Sequence, residues 1–596
     1  MHTKTPDGEA EGSAFIIPSG VKESACETYC IRWMMIGEDS TQGNHILTAF
    51  SQNMEQVIFV PSSLKLFRKD HILTVKPSRI FTTRYNHAII AWRKVLSSTQ
   101  SRPLKNKTMS FLWDHRIYWL TALSALAVMM IYVFFISVGT WTKWPATTDF
   151  YAQLARAFDH GQVSLLTKPD PSILALQNPY QYDALRKKTT YPWDVSLYNG
   201  KYYIYWGPAP AVIMAIVGLF HPIKAGDQYV VFASTCGLFF VNILILFGLW
   251  KRFFRDLPVW AFEIIILFVG LISPLLWSLN DPEIYEASIL FGQFLFLSGF
   301  YFAFLSFDQT ESFTWKLTLA GICWAVAIGS RITLILPIAL WIALYTVFTI
   351  KANKRGVWKS LLAMLLPLLI SLAAIGWYNW ARFDSPLEFG LHYQLTSSDL
   401  QKTQLFSPAY LPSNLYGYLF YGFYIQKPFP FLAADNPMHP ILFPNLTPSV
   451  LFEQTTGILW TSPFLLFALI PLIALIKGKN SAEQKDLLRW VSMSLMGSIF
   501  LLFSTLFLYF YQTMRFLADV TPQLALLSGI GFWQGLQYFK VRQNRFQPAY
   551  RYAAILLAIV SCVVSFLLAI LSYRYANRFD KFNPALLSAI VHFFGR

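Results

Sequence analysis

Residues 117–139 read IYWLTALSALAVMMIYVFFISVG, a single unbroken apolar run. Its twenty-three residues carry no charge, and about 20 apolar residues in helical form cross the hydrocarbon core of a bilayer. Apolar runs of this kind recur down to Ser572, and the period-two alternation of a barrel strand is absent. Lipid offers backbone polar groups no hydrogen bonds, so the remaining solution is the helix. The chain reads as an all-α polytopic membrane protein with about 11–13 spans.

Composition agrees. Of 596 residues, 55% are hydrophobic, 17% aromatic and 13% charged, about half the charged share of a soluble domain. The net charge of +16 comes from basic segments between spans, Lys251–Arg255, Lys351–Lys359, Lys477–Arg489 and Lys540–Arg551. Such segments mark the cytoplasmic side, and no basic domain suited to nucleic acid is present. Of the five cysteines, Cys236, Cys323 and Cys562 fall within apolar spans, and Cys26 and Cys30 lack zinc-spaced partners.

Residues 1–108 are polar and mixed in charge, without a span or a signal peptide. They are either a small cytosolic extension or sequence upstream of a true start near Met109, in MSFLWDHRIYWL. A membrane core then occupies 109–380 with a loop at 139–206, followed by a long loop at 381–456 and further spans within 457–596. The spans read as 117–138, 228–250, 258–279, 284–306, 315–350 as two short helices, 359–380, 457–476, 488–510, 515–538 and 550–572. The piece Pro208–Phe220 crosses fully or is re-entrant. If it does not cross, all the basic segments share the cytoplasmic side and the polar loops share the outer one. No repeat of fixed length is visible, which argues against a transporter of inverted halves.

Just past the first span lies TTDFYAQLARAFDHGQ, residues 147–162. Phe150, Leu154 and Phe158 line one face of a short amphipathic helix. Thr148 is read as its N-cap, which puts Asp149 in the first turn by the positive helix end. Asp149 is then either a general base for an acceptor hydroxyl, a metal ligand beside it, or a carboxylate held there by the dipole alone.

A second group is SLNDPEIYE, residues 278–286. Its acids are costly at a membrane boundary unless solvated, paired or bound to a cation, so Asp281 and Glu283 are candidates for an acceptor or metal site. The cations Lys201, Arg331, Arg382 and Arg515 could hold a lipid phosphate and offset charge on its departure; single arginines at span ends also snorkel. Aromatic faces suit sugar rings, and Tyr151, Tyr191, Trp193 and Tyr203 are candidates in a loop unusually rich in Trp and Tyr.

The order of these features resembles the GT-C superfamily of membrane glycosyltransferases, which includes protein O-mannosyltransferases and the aminoarabinose transferases of lipid A. The resemblance rests on Asp149 in the first outer loop, YNGKYYIYWGPAP at 198–210, Asn280-Asp281-Pro282, YNWARFDSPLEFGLHYQL at 378–395 and YQTMRFLADVTPQLALL at 511–527. It covers roughly Ile117 to Tyr538. It implies a GT-C-like helical core with outer juxtamembrane helices, a polyprenyl-phosphate sugar donor, and an inverting transfer with Asp149 as the catalytic carboxylate. Asp281 matches the second acidic position. Trp206 stands where aminoarabinose transferases carry a lysine, and Lys201 is the nearest substitute.

The expected partners are that lipid-linked donor, a lipid, glycan or protein acceptor, and membrane lipids, with no nucleic acid. No cofactor is assigned, and a divalent cation is left open. The expected location is a bacterial inner membrane with the site facing outward. The alternative is a transporter or flippase of lipid-linked sugars.

Overall fold

The computed structural model describes residues 56–60, 63–68, 71–75 and 116–594, apart from 184, 221–225, 308–314, 428, 435–450, 477–482 and 571–577. Met109, Cys26 and Cys30 lie outside the described residues. Two compact units divide at Asp114. In the first, Gln56–Val60, Ser63–Arg68 and His71–Val75 form an antiparallel meander, with Val57 opposite Leu66 and Leu66 opposite Leu73.

The second unit is the membrane body, an all-α polytopic fold. Among the described residues, seven helices are long and apolar enough to cross a membrane: Arg116–Ile136, Asp227–Phe254, Ile284–Ser306, Ile332–Lys351, Val357–Phe383, Asp486–Leu508 and Gln547–Ile570. The other expected spans are short or broken. The 258–279 span divides into Trp260–Leu271 and Leu275–Asn280 around Pro274, and 457–476 breaks into Ile458–Thr461, Pro463–Ala468 and Leu469–Ile476. Proline removes an amide donor and clashes with the preceding turn, which accounts for both interruptions. The 315–350 segment is two helices, as its pattern indicates.

Pro208–Phe220 does not cross. Its helix, Ala209–Gly218, has ten residues and extends about 15 Å, half of a hydrocarbon core. The next span then starts beside the start of the first loop, where the Asp227 amide donates to the Thr148 carbonyl (3.0 Å), and Trp206 just before the piece stacks on Phe150 of the same loop. Both ends of the piece therefore lie at one face.

Contacts between remote segments sort the remaining helix ends. Arg578 donates to the carbonyls of Ile136, Pro145 and Asn280, and Arg331 pairs with Asp519. These residues define a loop face. At the other end, Lys540 donates to the Asp256 carbonyl (2.5 Å) and Lys354 to that of Phe307, so the described parts of the basic segments gather at a basic face.

Lipid supplies no hydrophobic drive between spans, so dispersion and close approach hold them. The core accordingly stacks aromatic rings: Phe296 on Trp341 at 3.9 Å, Phe300 on Trp490 at 5.0 Å and Phe262 on Trp533 at 5.9 Å. Gly299 lets Trp324 lie against its helix, since a Cβ there would come within 2.3 Å of the indole nitrogen. That nitrogen donates to the Phe296 carbonyl.

Candidate active site at the loop face

The helix expected after the first span is Phe150–Asp159. Its stripe is seated as the spacing requires: Leu154 is buried, Phe150 stacks on Trp206 and Phe158 meets Tyr378 edge-on. The capping differs from expectation. Asp149, not Thr148, is the N-cap residue, and its side chain makes no cap bond. The cap is supplied by Asp227, whose Oδ2 accepts from the Thr148 hydroxyl (2.6 Å) and the Phe150 amide (3.0 Å), and whose Oδ1 accepts from the Tyr151 amide (3.1 Å). Nothing local to residues 147–162 signals a cap from 77 residues away.

Thr148 is thereby free for a second bond. Its Oγ1 accepts from the Ile284 amide (3.0 Å), so one hydroxyl ties the first loop to the start of two spans. This fastens Thr148, the residue before Asp149, to the head of the helix that follows the Asp281–Glu283 turn. The Asp149 side chain is half exposed; it accepts from Gln153 (2.7 Å) and meets Arg156 at 3.5 Å.

Asp281 and Glu283 form a tight link between Leu275–Asn280 and Ile284–Ser306. Glu283 is the N-cap of the second helix and forms a reciprocal capping box with Glu286. Both keep a partly exposed edge. Burial of the surrounding group raises both carboxyls above the ordinary range, Asp281 adding to the rise at Glu283, while Arg515 opposes it at each.

Arg515 is the centre of this region. It lies buried on a 3-10 turn, Met514–Asp519, with its guanidinium 4.2 Å above the Tyr285 ring and 2.6 Å from Glu453. Glu453 is placed by a two-residue parallel pairing of Leu451–Phe452 with Tyr511–Gln512, and it also accepts from the hydroxyls of Thr513 and Tyr511. Desolvation would lower the Arg515 pKa, but Glu453 and its neighbours more than reverse this, and it is held well above its ordinary value. Among the described residues its buried Nε has no hydrogen-bond partner.

On the far side of Tyr285, the phenol donates to Asp194. Asp194 adopts a positive φ of 61°, a conformation Asp tolerates better than most residues. The bend sends Trp193 outward, 43% exposed, and Asp194 inward, 8% exposed. Burial raises the Asp194 carboxyl, and Arg515 again opposes the rise.

The acids around Arg515 outnumber the cations. Arg578 feels Asp281 and Glu283, but Arg331 is committed to Asp519 through Nη2 at 2.5 Å and Nε at 3.1 Å. Among the described residues, no three His, Cys, Asp or Glu side chains gather at metal-binding spacing.

The other candidates lie apart from this centre. Arg382 is buried and donates to the Ile204 carbonyl (2.5 Å) and Asn379 (2.6 Å), locking a span end to the first loop. Lys201 is exposed on the hairpin of Ser196–Tyr198 with Lys201–Tyr203. Tyr151 and Tyr203 are buried and present no open face. Tyr191 and Trp193 stack at 6.2 Å, joined edge-on by Tyr182, above the buried Arg186. Trp206 packs against Tyr205 and Tyr285.

Asp194, Asp227, Glu453 and Tyr285 were not singled out by motif. Asp194 and Glu453 sit in polar loops like many solvated acids, and only long-range packing reveals them as buried.

No family model matches this chain, and no curated protein matches it. Among solved structures it is similar to the crystal structure of the Archaeoglobus fulgidus oligosaccharyltransferase in the apo form, at 13% identity and a TM-score of 0.39. The similarity covers 76% of this chain and 55% of that one, so the chain spans about half the length of that protein.

Proposed function

We propose that this protein is an integral membrane glycosyltransferase that moves a sugar from a polyprenyl-phosphate donor to an acceptor hydroxyl, with inversion. The observation that carries the reading is the Thr148 junction. It brings a half-exposed carboxylate, Asp149, to the same membrane face as the buried Arg515. The basic face is taken as cytoplasmic, which directs the loop face outward.

In this mechanism the acceptor oxygen attacks C1 of the sugar opposite the lipid phosphate. The bond from C1 to the phosphate oxygen breaks, and its electron pair leaves with the lipid phosphate. Asp149 takes the acceptor's proton as the new bond forms. Arg515, held beside Glu453 and over the Tyr285 ring, is the cation assigned to offset the charge gathering on the phosphate. Trp193 and Tyr191 offer aromatic faces to sugar rings beside the centre.

The test uses the full chain in proteoliposomes with a radiolabelled polyprenyl-phosphate sugar. Asp149→Asn is expected to retain donor binding and lose transfer. Undiminished transfer by that variant would overturn the mechanism, and movement of intact donor across the bilayer without transfer would favour a flippase.

A further inference from the structure

The basic-face half of the bundle contains a groove that the reaction at the loop face does not use. It lies between Ile335–Lys351 and Val357–Phe383, with a volume of about 420 Å³, and is lined by Ala339, Ile342, Ala343, Thr346, Val347, Leu361 and Leu365. Two helices joined by so short a link would ordinarily pack along their length. Here each is drawn to a different neighbour. Gly497 admits Leu340 of the first helix, where a Cβ would come within 2.3 Å, and Gly321 admits the Met364 backbone of the second at 2.7 Å. Ala339 and Ala343, one turn apart, are too small to refill the space between.

The groove's dimensions and its mouth identify an occupant. A cavity of about 150 Å³ holds one six-carbon ring, so this groove accommodates a fatty-acyl chain. Lys351 lies one turn beyond Val347 and Trp358 one turn before Leu361, on the faces that bear the groove. Both are exposed, Trp358 by 71%. Tryptophan at headgroup level and a lysine able to meet a phosphate are the groups a phospholipid encounters there. The stretch from Lys351 to Phe383 carries Lys351, Lys354, Arg355, Lys359 and Arg382 and no acid. We propose that this groove is a binding site for one anionic phospholipid of the leaflet at the basic face, with an acyl chain between the two helices and its phosphate on Lys351.

The full-length protein, purified in detergent, would be titrated with phosphatidylglycerol and phosphatidylcholine of matched chains and analysed by native mass spectrometry. The expected result is one lipid retained with a preference of about fivefold or more for phosphatidylglycerol, as one basic residue near an anionic headgroup gives. Ala343→Trp should abolish the tightly held adduct by filling the groove. Lys351→Gln, at an exposed position that cannot disturb packing, should bring the two lipids to near parity. Equal retention by the unmodified protein, or an unchanged preference in Lys351→Gln, would overturn the proposal. So would displacement of phosphatidylglycerol by equimolar polyprenyl phosphate, which would make the groove a donor site. The readout needs no transfer assay and stands whether or not the protein is a glycosyltransferase.

Discussion

Asp227 caps the helix that Asp149 begins. Its carboxylate accepts from the Phe150 and Tyr151 amides and from the Thr148 hydroxyl, and the same hydroxyl accepts from the Ile284 amide. The candidate base therefore owes its position to a buried acid at the head of a different span.

Removing that acid should disturb both stability and turnover. Asp227→Ala strands three donors, the Tyr151 amide fully buried and the Thr148 hydroxyl and Phe150 amide partly so; a buried donor left unpaired costs about 1–3 kcal/mol, so thermal unfolding in detergent should show a clear loss. Asp227→Asn keeps an acceptor and should recover part of it. If Asp227 only positions Asp149, both variants should lower kcat while leaving donor binding intact, with Asn the milder.

Asp149 itself should contribute little to stability. Its contact with Arg156 is exposed and long, and such pairs are worth about 0–1 kcal/mol. Asp149→Asn is expected to unfold within a degree or two of the unmodified protein while transfer falls by about 10²–10⁴-fold. A large drop in melting temperature would reassign it as structural.

Glu453 and Arg515 form a buried pair at 2.6 Å. Breaking such a pair from one side costs about 3–5 kcal/mol, so Glu453→Gln should destabilise strongly. Arg515→Lys keeps the charge but loses the planar stack on Tyr285 and the fixed donor geometry. It should impair turnover more than stability. Equal loss in both measurements would deny Arg515 a role in chemistry.

The acids near Arg515 predict a pH dependence. Burial raises Asp281, Glu283 and Asp194 above the ordinary carboxylate range, so the folded state binds protons more tightly than the unfolded chain. Stability must then fall as pH rises from about 4 through the raised native values, the reverse of a salt-bridged acid. Thermal unfolding between pH 5 and 8 should show the slope, and Asp281→Asn with Glu283→Gln should flatten it. An unchanged slope in that double variant would place its origin elsewhere.

Arg382 offers a contrast. Its bonds go to Ile204 and Asn379, so Arg382→Ala should destabilise the junction of the first loop with its span. Donor affinity, measured on the folded fraction, should barely change.

Much of this was legible in the chain. Spans announce themselves through long uncharged runs because a bilayer requires about 20 such residues. The stripe of Phe150, Leu154 and Phe158 follows from helical period, and basic clustering sorts the faces. Breaks at Pro274 and near Pro463 were less legible, since the apolar pattern continues across them.

Local sequence specifies a helical membrane protein, the positions of its polar loops, and Asp149 at the start of an amphipathic helix. Those properties depend on local composition and period, which neighbouring residues specify. Long-range packing alone makes Asp227 the cap of that helix, pairs Glu453 with Arg515, and commits Arg382 to the Ile204 carbonyl and Asn379. The reason is physical: a buried charge takes whichever partner packing brings within about 3 Å, and these partners come from spans and loops far apart in the chain.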